Sequence, residues 1–104
     1  SVVVSSPSAG ASVARAGFTC GGTWSGQVGT KLTARLTNDG TTWDAATITP
    51  ADLATGSSGT SGNWTATGFT GLATSNIEYK SLIVTVFKTG YNPAIDGFDL
   101  NFNS

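Results

Sequence analysis

From Lys31 to Ile48 the chain reads KLTARLTNDGTTWDAATI, and its first half alternates apolar and polar side chains until it meets Asn38-Asp39-Gly40. Leu32, Ala34 and Leu36 fall on one face of an extended strand, and Thr33, Arg35 and Thr37 fall on the other. Asn, Asp and Gly tolerate the positive φ of a tight reversal, so the spacing predicts a β-hairpin with its return strand between Thr42 and Ile48. Trp43 lies just past the turn.

The same period of two recurs on both sides of this hairpin. Val2, Val3 and Val4 form a β-branched first strand that Pro7 and Gly10 end, and Ala11 to Ala16, with Arg15, suits a short edge segment. Phe18, Cys20, Gly22 and Trp24 share one face of the next strand, and Ser25 to Thr30 turns the chain. Pro50 to Leu53 fits one helical turn. The run from Ala54 to Asn63, ATGSSGTSGN, has no apolar periodicity and is expected to be an exposed, mobile loop. Trp64, Ala66 and Phe69 mark another strand, with a bend allowed at Gly68 or Gly71. Glu78 to Thr89 is apolar on both parities, as a central strand would be. After a turn at Asn92-Pro93, the residues Phe98, Leu100 and Phe102 alternate with Asp99, Asn101 and Asn103. The expected core is therefore Leu32, Leu36, Leu82, Val84, Val86, Phe98, Leu100 and Phe102.

About seven strands at this turn spacing describe an all-β fold, an immunoglobulin-like antiparallel β-sandwich in one domain over residues 1–104. Composition agrees: 14 Gly, no Met and 38% hydrophobic residues with only 11% charged ones suit short strands joined by turns. A length of 104 residues supports one core. The five basic residues, Arg15, Lys31, Arg35, Lys80 and Lys88, are scattered and the net charge is −1, which argues against a nucleic-acid partner. No apolar run approaches the roughly 20 residues of a membrane-spanning helix, and no charged-then-apolar leader opens the chain, so no membrane partner is expected. A beginning at Ser1 fits either removal of an initiator Met or a fragment of a larger secreted protein.

Candidate chemistry is thin. His is absent, which removes Ser-His-Asp, Cys-His and His-ligated metal sites from this chain. Six carboxylates remain, Asp39, Asp44, Asp52, Glu78, Asp96 and Asp99, and no spacing pairs them as a glycosidase requires. Asp39 and Asp96 read as turn residues and Asp99 as the polar face of a strand. Asn38, Asp39 and Asp44, or Asp96 and Asp99, are oxygen ligands of the kind Ca²⁺ takes, but their spacing matches no calcium loop, and no metal or cofactor is expected. Cys20 is the only cysteine, has no basic neighbour, and reads as a small buried residue. Asn63-Trp64-Thr65 fits a glycosylation acceptor only incidentally. The three tryptophans are more informative. Large aromatics supply much of a small core, so burial is the favoured reading of Trp24, Trp43 and Trp64 alike, and Trp43 is the best candidate among them for an exposed stacking platform. Trp43, with Asn38, Asp39 and Thr42 of its turn, is therefore the candidate ligand-binding site, and no catalytic residue is assigned.

Ser6-Pro7, Gly10-Ala11, Val13, Phe18-Thr19 and Gly22-Thr23 resemble the opening of bacterial and phage Ig-like domains. Gly62 to Thr67, Gly71-Leu72 and the strand from Tyr79 to Phe87 are similar to the later half of that pattern. Asn38 to Trp43 and the ending Asn92 to Phe98 look more like β-sandwich modules of phage tail and fibre proteins. The resemblance implies a non-catalytic structural or adhesive module on a virion surface, in capsid decoration or in a tail or fibre. Its partner would be a virion protein or a host-surface glycan, and it would be a monomer by itself, multimeric only within an assembly. The alternative is a carbohydrate-binding or spacer domain of a secreted bacterial enzyme or adhesin, and both place the chain on a virion surface or outside the cell.

Overall fold

The computed structural model describes residues 1–37, 40–41, 43–69 and 81–103. Among these, ten strands form: β1 (Val2–Ser6), β2 (Ser12–Ala14), β3 (Cys20–Ser25), β4 (Lys31–Thr37), β5 (Asp44–Ala45), β6 (Thr47–Thr49), β7 (Ser61–Thr67), β8 (Ser81–Phe87), β9 (Ala94–Asp99) and β10 (Asn101–Asn103). One 3-10 turn, Ala51–Ala54, follows Pro50 as the helical-turn reading of that stretch implied.

The strands build two four-stranded antiparallel sheets, ordered β1-β3-β7-β6 and β5-β4-β8-β9, with β10 and β2 forming a separate parallel pair. The architecture is an all-β, immunoglobulin-like sandwich. The count of ten exceeds the expected seven for two local reasons. The predicted return strand, Thr42 to Ile48, divides at the half-buried Ala46: β5 pairs with β4, whereas β6 pairs with β7 in the other sheet. The terminal strand divides at Leu100, so that β9 pairs with β8 and β10 pairs with β2. The central position expected for the strand Glu78 to Thr89 is met, since β8 lies between β4 and β9; it ends at Phe87, and residues 78–80 lie outside the described ones.

The core follows the alternation. Leu32, Ala34 and Leu36 of β4 and Leu82, Val84 and Val86 of β8 are buried, and the register sets Leu32 opposite Val86, Ala34 opposite Val84 and Leu36 opposite Leu82. Phe18, Cys20, Trp24, Trp64, Ala66 and Phe69 answer from the other sheet and its flanks, and Leu100 and Phe102 are buried as expected. Phe98 is only half-buried, because β9 is an edge strand. The two large indoles fit because each faces a glycine across the β3–β7 ladder: Trp64 opposes Gly22 and Trp24 opposes Gly62. The Trp64 Nε1–H also donates to the Thr23 carbonyl at 3.2 Å, satisfying the one polar atom the ring carries into the core. At one end Phe18 closes the core against Phe102, edge-on at 5.1 Å, and against Phe69 at 5.4 Å.

Two sequence expectations are corrected. Asp96 is not a turn residue: it lies within β9 and its Oδ2 accepts a hydrogen bond from the Val4 N–H at 2.8 Å. One sheet thereby satisfies a donor on the outer edge of the other, an edge that would otherwise invite a foreign strand. The run from Ala54 to Asn63 is mostly exposed but is not a free-standing loop either. Its last three residues belong to β7, and Ser57 is 3% exposed. The Ser57 N–H donates to the Thr30 carbonyl, the Gly29 N–H donates to the Ser57 carbonyl, and the Gly26 N–H donates to the Thr60 carbonyl. The Asp52 carboxylate accepts from both the Ser58 N–H and the Ser58 hydroxyl, bonds that hold its pKa below the ordinary carboxylate range. Small side chains let two backbones approach and tie to each other, which offsets the apolar burial they cannot supply.

Candidate functional site

Of the four residues assigned to ligand binding, Trp43 alone is described; Asn38, Asp39 and Thr42 lie outside the described residues. Trp43 is 36% exposed, against 6% for Trp24 and 1% for Trp64, so it is the most exposed of the three indoles, as its place past the turn suggested. It immediately precedes β5, at the outer edge of the β5-β4-β8-β9 sheet.

That sheet presents a flat outer face whose composition follows from register. Side chains of alternate parity to the core residues point outward, which places Lys31, Thr33 and Arg35 of β4, Ile83, Thr85 and Phe87 of β8, and Ile95 and Gly97 of β9 on one surface. Ile95 is opposite Thr85 and so diagonal to both Ile83 and Phe87, making the three apolar side chains one patch. Ile95 is 64% exposed and Phe87 38%. Gly97 contributes no side chain, and a Cβ there would come within 2.6 Å of the Leu82 carbonyl oxygen, so the strands stay close and a shallow depression opens beside Ile83 and Ile95. Lys31 stands opposite Phe87 and Arg35 opposite Ile83, giving the β4 side of the patch a positive rim, while Asp99, accepting from the Ser81 hydroxyl at 2.8 Å, marks the β9 end.

The groups this face offers are apolar side chains beside a cationic rim. Asp96 and Asp99 are three residues apart on one strand and therefore project to opposite faces, so the calcium reading of that pair has no geometry. Among the described residues no three metal-ligating side chains gather. Cys20 is 4% exposed, and burial pushes its thiol up to about 12, which leaves it unreactive near neutral pH.

At the other end of β4, the turn 26–30, the loop 55–60 and the turn 88–93 converge, tied by the backbone bonds above and by the Lys88 Nζ donating to the Val28 carbonyl at 2.7 Å. Tyr91 and Val28 are exposed there, at 56% and 54%. Sequence reasoning passed over Tyr91 and Ile95 because both fall beside Asn92-Pro93, where turn chemistry dominates the local signal. The signal for Phe87 was present, as apolar parity on both faces of its strand, but such a pattern is shared by buried central strands and by exposed patches.

A comparison with family models, curated proteins and solved structures finds no match to this chain.

Proposed function

We propose that this chain is a non-catalytic structural or adhesive module of a virion surface, decorating a capsid or forming part of a tail or fibre, that holds a virion protein or a surface glycan. The observation that carries the reading is the single apolar patch of Ile83, Phe87 and Ile95 on the outer sheet face, with Trp43 at the sheet edge and Lys31 and Arg35 as its cationic rim. Apart from Trp43, these side chains stand on strands whose other face is the core, so they are presented without loop ordering, which lowers the cost of binding. Exposed aromatic and Arg side chains are the residue types that anchor interfaces. The virion setting rests on the likeness of Asn38 to Trp43 and Asn92 to Phe98 to tail and fibre modules. A carbohydrate-binding domain of a secreted bacterial enzyme or adhesin is the second reading, favoured by the cleft at the loop end that Tyr91 lines.

The test is cosedimentation of the purified domain with virions prepared without it and, separately, with host envelope glycan. Saturable binding to virions supports the first reading and binding to glycan alone supports the second. Absence of binding to either contradicts both.

A further inference from the structure

The converging turns 26–30 and 88–93 enclose a cleft of about 140 Å³, lined among others by Ser25, Gln27, Thr30, Phe87, Tyr91 and Asn92. We propose that this cleft binds one neutral hexose unit of a glycan, with the Tyr91 ring against the apolar face of the sugar and the Gln27 and Asn92 amides bonded to its hydroxyls. The inference rests on the glycan half of the reading above and moves the sugar site from Trp43 to the opposite end of β4.

Size is the first support, since 140 Å³ corresponds to about five waters, room for one sugar ring and not for a longer chain of them. Chemistry is the second. An amide offers donors and an acceptor at once, as vicinal hydroxyls require, and among the described residues neither the Gln27 nor the Asn92 side chain has a hydrogen-bond partner. Charge is the third. No carboxylate lines the cleft, and its two ammonium groups, of Ser1 and Lys88, are directed to the Ser25 and Val28 carbonyls, which leaves the amides as the groups open to hydroxyls. Preorganisation is the fourth: Gly26, Gly29 and Thr30 are tied to residues 57 and 60, and Lys88 ties the turn 88–93 to the same segment, so the walls are set before a ligand arrives. Thr30 is itself buried, its hydroxyl donating to the Gln27 carbonyl at 2.6 Å, which fixes the backbone from which the Gln27 amide projects.

The experiment titrates the intact, isotope-labelled chain with methyl glycosides of glucose, galactose, mannose and N-acetylglucosamine, and with methyl glucuronide, while amide chemical shifts are followed. The expected result is saturable binding of at least one neutral glycoside at about millimolar affinity, with shifts confined to residues 25–30 and 86–94. Tyr91→Ala and Asn92→Ala should each weaken it by about tenfold with no change in melting, and Trp43→Ala should leave it intact. Should Tyr91→Ala disturb folding, Asn92→Ala alone decides, since its side chain is exposed and makes no internal bond. Shifts that gather instead at residues 43–45 and 81–85 would overturn this site while leaving the glycan reading standing. Preferential binding of the glucuronide would overturn the neutral ligand. If no glycoside shifts any amide, the cleft is not a sugar site, and the adhesive reading then stands or falls separately on cosedimentation with virions.

Discussion

Trp64 should be the most costly single side chain to remove. It is 1% exposed, lies over Gly22 in the β3–β7 register, and donates its indole N–H to the Thr23 carbonyl at 3.2 Å. Truncation of a buried Trp to Ala removes the transfer free energy and leaves a cavity, about 3 to 5 kcal/mol together. The hydrogen bond is worth about 1 kcal/mol of net stability, so Trp64→Phe, which keeps a large ring but loses the donor, should cost about 1 to 2 kcal/mol. Against a total of roughly 5 to 15 kcal/mol for a domain of this size, Trp64→Ala leaves the fold marginal. At about 4 to 8 °C per kcal/mol its melting temperature should fall by more than about 12 °C. Urea unfolding followed by far-UV circular dichroism measures this directly, and the midpoint should fall with little change in slope. A loss below about 1 kcal/mol for Trp64→Ala, or equal losses for Ala and Phe, would refute the assignment of this indole to a closely packed, hydrogen-bonded core position.

Gly22→Ala should destabilise by about 1 to 3 kcal/mol in the same assay, because its Cβ would collide with the Val3 carbonyl, whereas Gly59→Ala, with only the Ser61 carbonyl oxygen at 4.0 Å, should be close to neutral. Cys20 should resist a thiol reagent until the protein is denatured; since burial raises its thiol to about 12 from an ordinary 9.0, the unfolded state ionises first and stability should fall as pH rises above about 9. The loop 55–60 should survive a nonspecific protease at neutral pH. The Asp52 bonds to Ser58 that hold it are present above the ordinary carboxylate range and are lost as pH falls through the depressed folded value, so cleavage there by an acid protease, or after Asp52→Ala, should appear before global unfolding.

The sandwich was legible wherever one side chain parity was apolar and the other polar. Leu32, Ala34 and Leu36, or Trp64 and Ala66, leave only one face to bury, and the structure buries it. The division of the chain between two sheets was not legible. Asp44-Ala45-Ala46-Thr47-Ile48 has the composition of a single strand, and the step from one sheet to the other at Ala46 is decided by the twist and separation of the layers, which leave no local mark. Asp96 shows the same limit. Next to Gly97 it reads as a turn, and only the distant β1 edge, 92 residues away, explains a half-buried carboxylate inside a strand. For the loop 54–63 the compositional argument considered apolar burial alone and omitted the backbone groups of residues 26–30, which supply the partners. At the candidate site, Trp43 was legible as an exposed aromatic, but Ile95 became part of a patch only through its register with Thr85.

The central claim is that this domain adheres through the outer face of the β5-β4-β8-β9 sheet, and substitution on that face measured by retention and melting together tests it most directly. Ile95→Arg places a charge within the patch at a side chain that is 64% exposed, and Trp43→Ala removes the surface indole. Surface changes of this kind should alter stability by no more than about 0.5 to 1 kcal/mol, while loss of an interface anchor costs about 2 kcal/mol of binding or more, a factor of about 30 in Kd. Retention on virions prepared without the domain should therefore drop by at least that factor for Ile95→Arg, with an unchanged melting curve, and Trp43→Ala should follow in the same direction. Full retention by both variants would contradict the account, as would a melting loss near 3 kcal/mol for Trp43→Ala with retention unaffected, which would return that indole to the core.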